Sequence, residues 1–207
     1  MLKNPIFIHG WAFSSRIFDK FSGVKYDLPG HGGNRNNYSG IDRILHEIFS
    51  LTSTKHDIVG WSLGGSLALL FAYKFPYKVN RIFLIGTTPF FKGAWEEKNI
   101  RAMKLLIKKG GIKAFRKLAY GDFEDFFEEK NGMKLLEDYI NLNLYPILSC
   151  IRQEVYILHG VEDKIVPPKE SFRLHKFLRC SKLILLGGGH FPIRDEEHFK
   201  SSVLKSC

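Results

Sequence analysis

The chain has 207 residues, 44% of them hydrophobic, which suits one folded domain with a good-sized core and excludes a disordered or fibrous protein. Its apolar runs, such as those over residues 82–85 and 183–186, are far too short to cross a bilayer. A net charge of +10, from 31 Lys and Arg against 21 Asp and Glu, favours acidic partners without specifying one.

Short apolar runs alternate with helical patterns along the chain, which is the signature of βαβ units and a mostly parallel sheet. Strands are predicted over 5–8, 24–27, 57–60, 81–85, 155–158 and 182–185. Helices are predicted over 41–50, 62–74, 169–177 and 196–205. In the first helix Ile41, Ile44, Leu45 and Ile48 recur at helical spacing, with Asp42, Arg43 and Glu47 elsewhere. Residues 90–145 break the rhythm, with helical periods and no convincing strand. They read as an insertion over one edge of the sheet, placed as a lid where ligands of open parallel sheets bind. The expected architecture is one α/β domain over 1–207: about six mostly parallel strands, helices on both faces and a short helical lid.

Chemistry concentrates where strands end. Gly60-Trp61-Ser62-Leu63-Gly64 matches G-x-S-x-G between a predicted strand and a predicted helix, the context a nucleophile elbow needs. The turn is sharp, so the neighbours two residues either side of the serine must be small, which Gly60 and Gly64 are, and Gly65 lets the helix approach closely. A serine hydroxyl needs a base, and in this arrangement an acid and then a histidine follow the serine in sequence. The fifth strand runs into Glu162 and Asp163, and the sixth into Gly189-His190. His190 is the candidate base. Asp163 and Glu162 compete for the acid, with Asp163 preferred for its place before Val166-Pro167. An oxyanion needs two backbone donors. Leu63, after the serine, supplies one; Trp11, in His9-Gly10-Trp11 after the first strand, supplies the other. The Trp11 ring is a wall of the acyl pocket or a core residue, or both. His9 and His31 are expected to brace loops.

Other chemistries lack support. Gly30-His31-Gly32-Gly33 is not G-x-G-x-x-G, and no phosphate-binding loop occurs. The eight histidines lack H-x-x-x-H and H-E-x-x-H spacing, so neither a metal nor a cofactor is expected. Cys150, Cys180 and Cys207 are odd in number and lack C-x-x-C spacing, which argues against a disulfide framework. The first two read as small packing residues and the third as a loose terminal thiol. The first residues lack a signal-peptide pattern, so the protein is expected to be soluble and cytoplasmic.

Charge is uneven within the insertion. Residues 92–117 hold nine basic residues and two acids; residues 118–140 hold seven acids and two lysines. Arg101, Lys104 and Lys108 fall on one helix face, with Ile100, Met103 and Ile107 one step round. The expectation is an apolar inner face towards an acyl chain and a cationic outer face towards an acidic partner. No aromatic-interleaved groove accompanies the charge, so nucleic acid is not expected.

Together His9-Gly-Trp11, Asp27-Leu-Pro-Gly-His-Gly32, Gly60-Trp-Ser-Leu-Gly-Gly65, Asp163 in its Val-Pro loop and Gly189-His190 resemble the α/β-hydrolase superfamily over nearly the whole chain. Within it they are most similar to the pimeloyl-[acyl-carrier protein] methyl ester esterases of biotin synthesis. The resemblance implies a serine esterase acting on an acyl methyl ester borne by acyl-carrier protein, an acidic partner to which the charge pattern of the insertion offers Arg101, Lys104 and Lys108 as a docking face. It also implies substrate contacts from Trp11, Leu63, His190 and a lid stretch over 115–119 that begins at Phe115 and ends at Ala119. The chain is shorter than the usual member: its first strand starts after four residues, without the two leading antiparallel strands, and the lid is short. Another carboxylesterase, a thioesterase or a lactonase on the same machinery stays open, as does a non-catalytic ligand-binding module.

Overall fold

The six apolar runs pair into one wholly parallel sheet in the computed structural model, which describes residues 2–205. The strands are β1 (Ile6–Ile8), β2 (Val24–Tyr26), β3 (His56–Trp61), β4 (Val79–Ile85), β5 (Glu154–Gly160) and β6 (Ser181–Leu186), in the order β2-β1-β3-β4-β5-β6. Every residue of β1 and β3 is buried, which is why these runs are apolar rather than alternating. The register sets Ile8 beside Gly60 and Trp61 beside Ile85, so the loops after β1, β3 and β4 leave the sheet side by side.

Helices α1 (Ile41–Ser50) and α2 (Leu63–Lys74) touch each other, and α2 packs on β1, β3 and β4. The period read in α1 holds: Ile44, Leu45 and Ile48 are buried. Helix α2 is apolar all round because the sheet and its neighbours cover it. Each large side chain buried there contributes roughly 1.5–3 kcal/mol. Beyond the sheet's other strands, α7 (Lys169–Phe177) packs on β5 and β6. On the opposite face Phe199, from α8 (Glu196–Leu204), meets Phe83, which stacks on Tyr156 at 4.9 Å. The chain reverses direction across the sheet between β1 and β3, the place where a ligand crevice forms in such sheets.

Four helices stand between β4 and β5: α3 (Phe91–Ala94), α4 (Glu97–Ala119), α5 (Glu129–Asn141) and α6 (Tyr145–Leu148). A break at Gly111, with φ 66° and ψ −178°, divides α4. That φ favours glycine. The insertion is tied to the strand ends rather than laid beside an edge. Trp11 Nε1 donates to Gly132 O at 2.6 Å, Arg116 Nε to Ala12 O at 2.7 Å and Leu144 N to Pro89 O at 2.9 Å.

Two cysteine readings need correction. Cys150 and Cys180 are exposed, not packed. Both sit in turns leading to strands β5 and β6, where the chain runs over the surface. Cys207 lies outside the described residues.

Candidate active site

Ser62 stands between β3 and α2 with φ 55° and ψ −119°. A non-glycine residue holds such a conformation only at a cost of about 1–3 kcal/mol that the surroundings must offset. Here they do so through space and hydrogen bonds. A Cβ on Gly60 would lie 2.3 Å from Gly64 O, and one on Gly64 would lie 2.1 Å from Ile8 O, so neither position tolerates a side chain. Ser62 N donates to Ile85 O at 2.8 Å, while Ser62 O accepts from Gly65 N at 3.0 Å and Ser66 N at 3.2 Å.

His190 and Asp163 meet beyond the ends of β6 and β5. His190 Nδ1 lies 2.7 Å from Asp163 Oδ2, and both residues are buried. The other carboxylate oxygen, Oδ1, accepts from Ile165 N at 2.8 Å and Val166 N at 2.9 Å. Glu162, the competing acid, is exposed. Burial pushes the Asp163 carboxyl up. The charge of His190, the hydrogen bonds from His159 and His190, and the Val166 N–H outweigh it and hold Asp163 well below the usual carboxylate range. His159 adds a contact that the sequence reading missed: its Nε2 lies 3.2 Å from Asp163 Oδ2 and 2.9 Å from Val166 O. Trp61 Nε1 donates to His190 O at 2.9 Å and steadies that loop.

Ser62, His190, Trp11, Phe115 and Tyr139 line one cleft, whose free volume is only about 10 Å³. That is room for about one water molecule. A larger, mostly apolar cavity of about 300 Å³ adjoins it, with Phe91, Met103, Phe115 and Ile165 forming walls of both. Ile100 and Leu118 also line the larger cavity, and Lys164 and Asn99 are its polar members. Trp11 is both wall and core: its ring lies 5.0 Å from Phe115 and 5.4 Å from Phe127. Leu63 is fully buried as the first residue of α2, and the N–H groups of Leu63 and Trp11 have no acceptor among the described residues.

The stretch that starts at Phe115 is only partly a pocket wall. Phe115 and Leu118 line cavities, but Ala119 is buried without lining either. Arg116, counted above with the surface charges, is buried and bonds to Ala12 O and Asp125 O. The outer charges are also partly neutralised. Arg101 pairs with Glu97 and Lys104 with Glu137, each at 2.6 Å, while Lys108 is exposed and has no ion pair among the described residues. The acids of the second stretch thus fold back on the bases of the first, as Lys113 does with Glu124 at 2.6 Å.

The remaining histidines of the motifs brace loops. His9 Nδ1 donates to Gly10 O at 2.7 Å, and its Nε2 accepts from Leu28 N at 3.0 Å. His31 Nδ1 donates to Pro29 O at 2.9 Å, and its Nε2 accepts from Ala12 N at 3.2 Å. Both rings act as acceptor and donor at once and so are neutral. Burial pushes His9 down to about 4, against Gly10 and Asp27, and His31 down to about 3, with His9 adding to the shift. In the unfolded chain each ring takes a proton near pH 6.5, whereas the folded chain does so only near 4 and 3. Stability is therefore full above about pH 6.5 and falls as pH drops below it, by on the order of 1 kcal/mol per pH unit per ring. Urea midpoints at pH 7 and pH 5 measure this. An unchanged midpoint would contradict neutral buried rings.

The profile of the alpha/beta hydrolase family matches residues 6–198, and the chain belongs to that family. It is a carboxylic ester hydrolase, and the expected fold class is borne out. Among its relatives is the pimeloyl-[acyl-carrier protein] methyl ester esterase of Nitrosospira multiformis, 32% identical, with 90% of this chain and 87% of that one covered. The protein of the same description from Nitrosomonas europaea is 24% identical, with 90% and 88% covered. Of solved structures, Est816, described as an N-acyl homoserine lactone degrading enzyme, superposes with a TM-score of 0.78 over 97% of this chain and 91% of that one. At 17% identity that is a likeness of fold.

Proposed function

We propose that Ser62 is the nucleophile, His190 the general base and Asp163 the acid that orients it, and that the substrate is an acyl methyl ester borne on acyl-carrier protein. The observation carrying the first part is the 2.7 Å contact between Asp163 and His190 at a cleft shared with Ser62 on its strained turn. Ser62 Oγ attacks the ester carbonyl while His190 takes its proton. Asp163 fixes the tautomer with Nδ1–H towards itself and stabilises the imidazolium. The N–H groups of Trp11 and Leu63 receive the oxyanion. His190 then protonates the departing alcohol and activates the water that frees the acyl group. The insertion acts as a lid over this site, and because the cleft is so small, Phe91, Met103, Phe115 and Ile165 must part for an ester to enter.

The substrate class is supported by the names of the relatives and by the apolar cavity beside the cleft, whose size suits an acyl chain. A panel assay tests it: methyl esters of diacids on acyl-carrier protein against free short-chain esters and matched thioesters. Preference for a free ester or a thioester would overturn the substrate. Arg101, Lys104 and Lys108 are the docking face in this reading. Two of the three are engaged in exposed ion pairs, which solvent and salt weaken and which an acidic partner can replace. Reversing all three to Glu is expected to weaken action on the carrier-bound ester, chiefly through slower association, with added salt giving the same loss. A free ester should be nearly unaffected. Equal loss on both substrates would make this face structural.

A further inference from the structure

Tyr139 places a phenolic hydroxyl inside the cleft that holds Ser62 and His190. The residue is 3% exposed, and its hydroxyl has no hydrogen-bond partner among the described residues. A buried hydroxyl left unpaired is uncommon and destabilising. The hydroxyls of Ser62 and Ser66 act on the phenol as weak hydrogen-bonding neighbours without reaching hydrogen-bond geometry, and the Ser66 hydroxyl is already given to Thr88 O at 3.1 Å. Burial raises the phenol above its ordinary pKa, so it keeps its proton and can act as a donor.

The topology says which ester oxygen this donor meets. Helix α5 carries Tyr139 across the strand ends. Gly132, near its start, binds Trp11 after β1, while Tyr139 packs at 5.3 Å on Phe91 beyond β4. In the sheet, β1 lies on one side of β3, and β4, β5 and β6 lie on the other. A carbonyl oxygen turned to Trp11 and Leu63 faces β1. The alkoxy oxygen is then turned towards the β4 side, where both His190 and Tyr139 stand. We propose that Tyr139 is a catalytic residue that donates a hydrogen bond to the alkoxy oxygen of the bound ester. During acylation the Ser62 Oγ–carbon bond forms and the carbon–alkoxy bond breaks. His190 carries the serine proton to the leaving oxygen, while Tyr139 retains its own proton and stabilises the charge that gathers there. The hydroxyl that lacks a partner in the free protein gains one when substrate binds under the insertion.

This rests on the reading of Ser62 and His190 given above, and the experiment separates the two. Methyl butyrate and p-nitrophenyl butyrate share an acyl group but differ greatly in the basicity of the leaving oxygen. Tyr139→Phe is expected to lower kcat/KM for methyl butyrate by about 10- to 100-fold, the effect of one hydrogen bond to a charge-bearing oxygen. The loss on p-nitrophenyl butyrate should be only a few-fold, because that oxygen leaves without help. Thermal stability should be unchanged or slightly raised, since the hydroxyl lost is unpaired. Equal losses on the two esters, or none on methyl butyrate, would overturn the role of Tyr139. Ser62→Ala measured in parallel tests the underlying reading: if it still turned over methyl butyrate, the nucleophile assignment would fail instead.

Discussion

Ser62→Ala is expected to fold as the parent does and to hydrolyse esters at least about 10⁴-fold more slowly. The substitution deletes one hydroxyl and keeps the Cβ, so the strained turn keeps its geometry. The turn's hydrogen bonds run through the backbone of residue 62, to Ile85, Gly65, Ser66 and the Thr87 hydroxyl, and none of these needs the serine side chain. Loss of turnover with an unchanged melting curve therefore isolates chemistry from folding. Labelling by a fluorophosphonate gives a second readout, since the reagent needs an activated serine oxygen. Substantial hydrolysis by the alanine variant, or labelling that persists in it, would remove Ser62 from the mechanism.

Asp163→Asn is expected to reduce turnover by roughly 10³–10⁴-fold. An amide cannot accept from His190 Nδ1–H with the nitrogen of its carboxamide, so it favours the tautomer that leaves Nε2 protonated and unable to take the proton of Ser62. The change also touches the loop, because Oδ1 receives the N–H groups of Ile165 and Val166. An asparagine oxygen can still take those two bonds, which keeps the loop in place. Glu162→Gln, one residue away but exposed, should leave turnover within a factor of about two. The reverse pattern would transfer the acid role to Glu162. Asp163 is held ionised by its neighbours, so its carboxyl is not expected to limit activity at mildly acid pH.

The strands and the four predicted helices were legible because burial on both faces of a parallel sheet leaves uninterrupted apolar runs, and helices such as α1 leave a 3.6-residue period. The ends of strands were legible too, because Gly60, Gly64 and Gly160 mark places that a side chain would block, and Gly188 takes a positive φ that favours glycine. The sequence favoured Asp163 over Glu162 only through its place before Val166-Pro167: both are acids in one loop, and the backbone donors at Ile165 and Val166 that hold Asp163 inward are not revealed by residue type. The charges of the insertion misled more. Arg116 has the composition of a surface residue, yet its guanidinium is buried against carbonyls of the loop after β1 and of residue 125. Lys104 and Glu137 lie on different helices, so their pairing depends on packing that a helical wheel does not contain. Tyr139 left a faint trace: it shares the apolar period of Leu135, Leu136 and Ile140, which marks it as inward-facing but says nothing of a hydroxyl without a partner.

The wholly parallel sheet has a consequence for how the chain comes to be folded. No strand pair can form as a hairpin, so each rung must wait for a crossover to bring distant segments together. The pair nearest in sequence is β1 with β2, where Ile6 meets Val24; next comes β3 with β4, joined through α2, whose largely apolar surface gives it reason to collapse early. The pair β4 with β5 must close across the whole helical insertion, and β1 with β3 across β2 and α1. Loop-closure entropy grows only slowly with length, yet non-local pairing slows folding strongly. Refolding is therefore set by assembly around β3, and Ser62 reaches its strained conformation only once β1, β4 and their loops have joined it. A partly folded chain of this protein would carry the serine but not the site.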